Sequence, residues 1–262
     1  MHESQSLISV YFVVGLLGAL VGSFLNVCIY RLPRRESIAW PGSHCPHCSH
    51  PIAWYDNIPI VSYILLAGRC RNCAVSISYR YPMVEALNAL GYVWILWTFG
   101  MTWSAAVYGI LYSALLVVAG TDLSHKIIPN AITFPGMILG LLSATTILPL
   151  GFFNGLLGLF VGGGILWLLA WASPYLFGKE GMGGGDIKLL AMIGAFLGWK
   201  PAVMTIMVGS FLGSLIGVSL IAAKVIRRED YIPFGPFLVC GALVSLFFGQ
   251  SLLDWYQGLL AG

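Results

Sequence analysis

The chain has 262 residues, of which 58% are hydrophobic and 9% are charged. A soluble protein of this length could not bury so much apolar surface, so the composition excludes an ordinary water-soluble enzyme and indicates a polytopic membrane protein in contact with lipid. The formal net charge of +3 gives no indication of a nucleic-acid partner, and we expect none.

Apolar runs follow one another along most of the chain and predict an all-α protein with about eight transmembrane helices. The first, Leu7 to Tyr30, is long enough to span a bilayer, and its charges follow it in RLPRR, so we expect a span rather than a cleaved signal peptide. The later runs lie near 83–100, 104–120, 131–150, 153–177, 187–198, 202–223 and 234–249. The run at 187–198 is too short to cross alone and is expected to borrow from the preceding glycines.

The basic residues lie almost entirely in alternate loops. Twelve of the 13 Lys and Arg residues follow spans one, three, five and seven, and only Lys200 lies on the other side. The positive-inside rule makes the basic side cytoplasmic and places both termini outside. The predicted organisation is a first transmembrane helix (1–30), a cytoplasmic loop (31–82) and a membrane-embedded core (83–262).

The cytoplasmic loop contains two C-x2-C pairs, in HCPHCSH and GRCRNC, with a gap between them slightly longer than is usual for paired zinc knuckles. Such pairs can place four thiolates around one Zn²⁺, and a four-thiolate site has no open position for water, so the expected role is structural. Two disulfides are the alternative, and the reducing cytoplasmic side favours zinc. The predicted ligands are Cys45, Cys48, Cys70 and Cys73. The neighbouring histidines are interpreted as surface residues.

Two aspartates lie where apolar runs meet the cytoplasmic face, Asp122 in AGTDLSHKIIPN and Asp186 in GMGGGDIKLL. Ionisable groups at such depth are costly and usually functional, although a single aspartate at a helix end has an ordinary explanation in the helix dipole. Two facing carboxylates hold different protonation states, so one can activate a water while the other protonates the leaving group. The pair therefore predicts peptide hydrolysis without a covalent intermediate.

Three consecutive glycines precede Asp186. Gly183, Gly184 and Gly185 leave room for an extended substrate and expose backbone groups that can pair with it. We predict that they form the substrate-approach loop.

Two polar residues inside spans, Asn26 and Glu85, are candidates for a second chemistry. Each also has a structural explanation, because Asn26 can bond a neighbouring helix and Glu85 can complement its own helix N-terminus. Gly18 and Gly22, in GxxxG spacing, indicate a close helix contact in the same region. The residues of any cofactor-binding site are left unknown.

Several motifs together resemble the bacterial type IV prepilin peptidase family. They are GSFLNVCIYRLPR, the paired C-x2-C loop, NIPIVSYILLAGRCRNC, ISYRYPMVEALN, TDLSHKIIPN and GMGGGDIKLLAMIGAFLG, in which GGGD fits the G-x-G-D motif of intramembrane aspartyl proteases. The resemblance covers nearly the whole chain and implies a multi-pass protein of the bacterial inner membrane. It implies Asp122 and Asp186 as the catalytic pair.

The same resemblance implies the substrates. Members remove the basic leader from type IV prepilins and type II secretion pseudopilins. Many then N-methylate the new amino terminus with S-adenosylmethionine, and those with the cysteine loop look like the bifunctional ones.

Three other functions are open alternatives at this point. An ion-coupled transporter would carry its aspartates near the bilayer midplane, often with repeat symmetry, and no repeat is visible in the sequence. A general intramembrane aspartyl protease would share the aspartates but lack the cysteine loop. A zinc-dependent membrane regulator would need metal occupancy to control its output.

Overall fold

The computed structural model describes residues 2–177, 183–227 and 232–261. In these ranges the regular structure is helical, apart from two isolated bridges, His44 with Pro51 and Arg69 with Ser76. The α-helices are α1 (His2–Arg31), α2 (Val61–Leu65), α3 (Arg80–Phe99), α4 (Trp103–His125), α5 (Asn130–Thr146), α6 (Phe152–Phe177), α7 (Gly184–Leu197), α8 (Trp199–Ala222) and α9 (Gly235–Ala261). Two 3₁₀-helices cover Leu32–Arg34 and Trp54–Asn57. Lys179 and Arg228, two of the basic residues that indicate the orientation, lie outside the described residues.

Each of the eight predicted spans coincides with one helix, and the all-α architecture is confirmed for the described part of the chain. Five of these helices are long and apolar enough to cross a membrane, which makes the protein multi-pass. They are Leu7–Arg34, Trp103–His125, Phe152–Tyr175, Trp199–Ala222 and Gly235–Leu259. Helices α3, α5 and α7 do not meet the requirements of both length and apolar composition for a membrane span. The expected count of eight transmembrane helices therefore stays a prediction.

The chain divides into two compact units, one ending at Val117 and the other beginning at Val118. In the first unit, α1 and α3 run antiparallel and pack closely. A Cβ at Gly18 would lie 2.8 Å from the Ala89 Cα, and one at Gly22 would lie 2.7 Å from the Glu85 Cα. The Asn88 amide donates to the Gly18 carbonyl at 2.7 Å. The expected GxxxG contact is confirmed, and its partner is α3.

The second unit is organised around α7, which packs against α5, α6, α8 and α9. Every residue from Leu189 to Leu197 is buried. At about 1.5 Å per residue its 14 residues extend roughly 21 Å, well short of the ~30 Å apolar thickness of a bilayer. Gly184 and Gly185 belong to this helix, so the glycine-rich segment does lengthen the short run.

Glycines allow α6 and α7 to approach at backbone distance. The two helices are antiparallel, and a Cβ on Gly158 would overlap the Gly194 carbonyl. One turn further along, a Cβ on Gly162 would lie 2.7 Å from the Leu190 carbonyl oxygen. Close approach of this kind gives van der Waals contact between helices where the lipid environment provides no hydrophobic driving force.

The α6 glycines offer a matched pair for testing this contact. Gly162→Ala should lower the thermal unfolding midpoint in detergent by about 3–10 °C, because the added methyl group overpacks the α6–α7 contact. Gly164→Ala should leave the midpoint unchanged or raise it slightly, since a Cβ there meets no atom within 4 Å. Equal midpoints for the two variants would contradict the assigned packing.

Candidate active site

Asp122 lies in the last turns of α4, with its side chain 3% exposed. Its Oδ2 accepts a hydrogen bond from the backbone N–H of Gly235, the first residue of α9, at 2.9 Å. A carboxylate buried in an apolar body needs such a donor, because an unpaired charge there is costly. The sequence analysis assigned Asp122 no specific partner, although the Gly-Pro pair before an apolar run is a signal for a helix start.

Asp186 lies in the first turn of α7 and is 4% exposed. Asp122 and Asp186 both belong to the second unit, and the charge of Asp122 acts on the Asp186 carboxyl group. The Asp186 Oδ2 lies beside Gly183, 3.4 Å from where a Cβ on that residue would stand, and the Asp186 N–H donates to the Gly183 carbonyl at 3.2 Å. The fold therefore brings together two carboxylates that are distant in the sequence, each beside the start of a helix.

The three glycines before Asp186 differ from the expected loop. Gly183 is extended and exposed, with φ −75° and ψ 142°, whereas Gly184 and Gly185 form the first turn of α7. The N–H groups of a first helical turn have no partner within the helix and remain available. A Cβ at Gly184 would meet nothing within 4 Å, but one at Gly185 would lie 2.9 Å from the Ile128 Cβ. Among the residues that the structure describes, Gly184 thus faces open space, and Gly185 faces the segment before α5.

Lys188, one turn beyond Gly184, ties α7 to α5. Its Nζ donates to the Asn130 Oδ1 at 2.9 Å and lies 5.4 Å from the centre of the Phe134 ring. Helices α5 and α7 run parallel, since Gly136 faces Met192 and Gly140 faces Phe196. The sequence analysis interpreted Lys188 only as a topological charge and missed this contact.

The cysteine loop folds as two equivalent knuckles, the second repeating the backbone geometry of the first. In the first, the Cys45 N–H donates to the His50 carbonyl at 2.9 Å, and Ser49 has φ 56°. In the second, the Cys70 N–H donates to the Val75 carbonyl at 2.9 Å, and Ala74 also has φ 56°. Each knuckle turns its two cysteines towards the same point.

The four cysteine sulfurs lie within 4.8 Å of one another, and Cys45 and Cys73 are 3.9 Å apart. All four thiols are free, so the structure does not contain the two disulfides that were the alternative. The neighbouring histidines at 44, 47 and 50 lie outside this cluster, as expected.

Backbone donors prepare part of the cluster for metal binding. The His50 N–H and the Asn72 amide lower the pKa of Cys48 to about 6. The Val75 N–H also lowers the pKa of Cys73, but desolvation and the hydrogen bonds from the other three thiols together raise it to about 12. Since thiolates bind metals, a bound cation would relieve the repulsion that keeps the last thiol protonated.

Hydrogen bonds join the loop to α3, α1 to α3, and two parts of the loop to each other. The Ile60 N–H donates to the Glu85 Oε2 of α3 at 2.8 Å, and the Asn26 amide donates to the Tyr81 carbonyl at 3.0 Å. Arg71, within the second knuckle, makes a bidentate pair with Asp56 at 2.7 and 2.8 Å. Both polar candidates inside the predicted spans, Asn26 and Glu85, therefore have structural partners.

Known protein families and known proteins are similar to this chain along most of its length. Residues 16–99 match the bacterial peptidase A24 N-terminal domain, and residues 109–218 match the type IV leader peptidase family. Proteins named prepilin leader peptidase/N-methyltransferase are similar throughout. The one from Pseudomonas aeruginosa is 36% identical over 92% of this chain and 91% of its own, and the one from Xanthomonas campestris is 38% identical over 92% of each.

A further protein of that name, from Aeromonas salmonicida, is 36% identical over 93% of this chain and 92% of its own length. No solved structure matches the chain. Two family models together cover most of the residues, and these relatives share more than a third of their residues with this chain over nearly its full length. Both findings lead to one conclusion: the chain belongs to the type IV leader peptidase family.

Proposed function

We propose that this chain removes the leader peptide from type IV prepilins and type II secretion pseudopilins, with Asp122 and Asp186 as the catalytic pair, and then N-methylates the new amino terminus. Relatives named prepilin leader peptidase/N-methyltransferase support the two activities. The observation that carries the catalytic assignment is the burial of both carboxyl groups in the second unit, where the charge of Asp122 acts on Asp186.

The reaction follows from placing a water between the two carboxyl groups. The ionised carboxylate takes a proton from the water, whose oxygen attacks the carbonyl carbon of the scissile peptide. The protonated carboxyl donates its proton to the departing nitrogen, so that the C–N bond breaks as an acid and an amine form. After one turnover the group that was ionised is protonated and the other is ionised. Transfer of one proton between the two carboxyl groups restores their initial protonation states.

The substrate approaches along the exposed start of α7. A prepilin must be extended at its scissile bond, and an extended backbone needs hydrogen-bond partners. Gly183 and Gly184 supply exposed backbone next to Asp186, and Gly184 leaves space where a side chain would stand. These features support the glycines as the substrate platform.

The location proposed for this site is the cytoplasmic face of the inner membrane, with both termini outside. The charge distribution among the loops supports this orientation. A basic leader stays in the cytosol while the apolar helix behind it enters the lipid, so the scissile bond lies at that same face.

The metal proposed for the cysteine cluster is one structural Zn²⁺ ion. With Zn–S bonds of about 2.3 Å, a tetrahedral site has sulfur–sulfur edges of about 3.8 Å. The 3.9 Å between Cys45 and Cys73 and the 4.8 Å limit for the whole set support this fit. Four thiolates fill the coordination sphere, so zinc would stabilise the loop and take no part in hydrolysis.

S-adenosylmethionine is the methyl donor that the second activity requires. In the described part of the first unit a cavity of about 300 Å³ lies against α1 near Phe24, Arg31 and Asn57. Its lining contains no carboxylate to pair with the positively charged donor. These residues do not fit the group, and no residue of this chain is assigned to methyl transfer.

The proteolytic function is favoured over ion transport. Asp122 lies in the last turns of α4 and Asp186 in the first turn of α7, and relatives named prepilin leader peptidase/N-methyltransferase support proteolysis over transport. The cysteine loop favours prepilin processing over a general intramembrane protease.

The first test removes either carboxylate. Asp122→Asn and Asp186→Asn should each lower leader cleavage by on the order of 10²–10⁴-fold, because neither amide can act as acid or base. Cleavage is measured on purified protein with a prepilin, and metal content and thermal midpoint should stay as in the wild type. Asp254→Asn, at an exposed position of α9, is the matched control with full activity. Near-normal cleavage by either variant would contradict the assignment of Asp122 and Asp186 as the catalytic pair.

The second test separates substrate approach from packing. Gly184→Val should reduce cleavage with little change in thermal midpoint, because its side chain would occupy space that the substrate needs. Gly185→Val should lower the midpoint as well, since a Cβ there already crowds Ile128. Wild-type processing by Gly184→Val would show that α7 does not carry the substrate platform.

The third test concerns the metal. Purified protein should contain one zinc ion per chain, and Cys45→Ser combined with Cys48→Ser should lose it and unfold the loop. Some cleavage should remain, because neither aspartate lies in the loop, while methylation should fall further if the loop contributes to that site. Cys240→Ser, outside the cluster, should retain the zinc. Wild-type protein without zinc by elemental analysis would contradict the ligand assignment, and equal loss of both activities would contradict their separation.

A further inference from the structure

The start of α9 has one backbone donor that its own helix does not use. Phe237 and Leu238 both direct their N–H groups to the Phe234 carbonyl, at 3.0 and 3.1 Å. Pro236 has no N–H group. The N–H of Gly235 is left for another partner, and it donates to the Asp122 Oδ2 at 2.9 Å in a buried position.

Only glycine permits this approach. A Cβ on residue 235 would lie 2.6 Å from the Asp122 Oδ2 and 3.2 Å from its Cγ. Real Cβ atoms do not come so close to a carboxylate oxygen, so any side chain here would displace either Asp122 or the first turn of α9. The requirement for glycine is one of contact distance with the carboxyl group.

The hydrogen bond also distinguishes the two oxygens of Asp122. In a protonated carboxyl group the carbonyl oxygen is the better acceptor, so an N–H held at 2.9 Å from Oδ2 favours placing the proton on Oδ1. The N–H groups at a helix start also favour a negative charge beside them. Both effects orient the group that faces Asp186.

We propose that Gly235 is a positioning residue for peptide cleavage: its N–H fixes the Asp122 carboxyl group with Oδ2 engaged, leaving Oδ1 as the oxygen that exchanges protons with water and substrate. This inference rests on the proposed function, because it requires Asp122 to be half of the catalytic pair. It assigns a role to the Gly-Pro start of α9, which the sequence analysis did not use.

The kinetic test is Gly235→Ala, with Gly258→Ala on the same helix as control, since a Cβ at residue 258 meets nothing within 4 Å. Gly235→Ala should lower kcat for prepilin cleavage by roughly 10²-fold, as expected for a displacement of about 1 Å, with KM nearly unchanged. Gly258→Ala should match the wild type in both parameters. A wild-type kcat for Gly235→Ala would overturn the inference.

A second measurement keeps the test decisive if Gly235→Ala folds poorly. Thermal midpoints are compared for Gly235→Ala in the wild-type background and in the Asp122→Ala background. The loss of midpoint should be large in the first and largely absent in the second, because the clashing carboxylate has been removed. Equal losses in both backgrounds would show that the contact with Asp122 is not the cause.

The outcomes also separate this inference from the function on which it rests. If Asp122→Asn cleaves normally, the catalytic pair itself is wrong. If Asp122→Asn is inactive while Gly235→Ala keeps a wild-type kcat, the pair stands and only the role of Gly235 is wrong.

Discussion

The burial of α7 is the constraint on which the second unit depends. A helix of 14 residues is too short to cross a bilayer alone, so its ends must be covered by other helices rather than by lipid headgroups. Close backbone contact with α6 through glycines, and parallel packing against α5, provide that cover. The first turn of α7 is therefore held in a fixed place, and Asp186 lies on that turn.

The two buried carboxyl groups of the second unit impose a constraint on charge. Two neighbouring carboxyl groups that are 3% and 4% exposed cannot both ionise without strong repulsion, and in an apolar body each needs a donor. For Asp122 the fold supplies the donor from the backbone, the N–H of Gly235. A backbone donor carries no charge of its own, so it pairs with a carboxyl group without supplying a neutralising cation.

The four cysteines of the loop are brought together by local backbone geometry. Two knuckles with the same hydrogen bond and the same left-handed residue turn four sulfurs towards one point. A loop of this size has too little apolar surface for a core, so its four-cysteine cluster, which could hold a metal ion, and a few polar contacts are what is available to stabilise it. The exposed Arg71–Asp56 pair adds little, because an ion pair with one partner 61% exposed is screened by water.

The sequence by itself determined the helical membrane class, the cysteine quartet and the two aspartates. Each of these signals is local or compositional: apolar runs, a C-x2-C spacing, and ionisable residues where charge is costly. The packing of the helices decides which partners Asn26 and Glu85 have and that Gly235 meets Asp122. Those contacts join residues far apart in the chain, up to 113 positions for Gly235 and Asp122. No local pattern encodes which helix start faces a given carboxylate, because that depends on how α4 and α9 pack within the second unit.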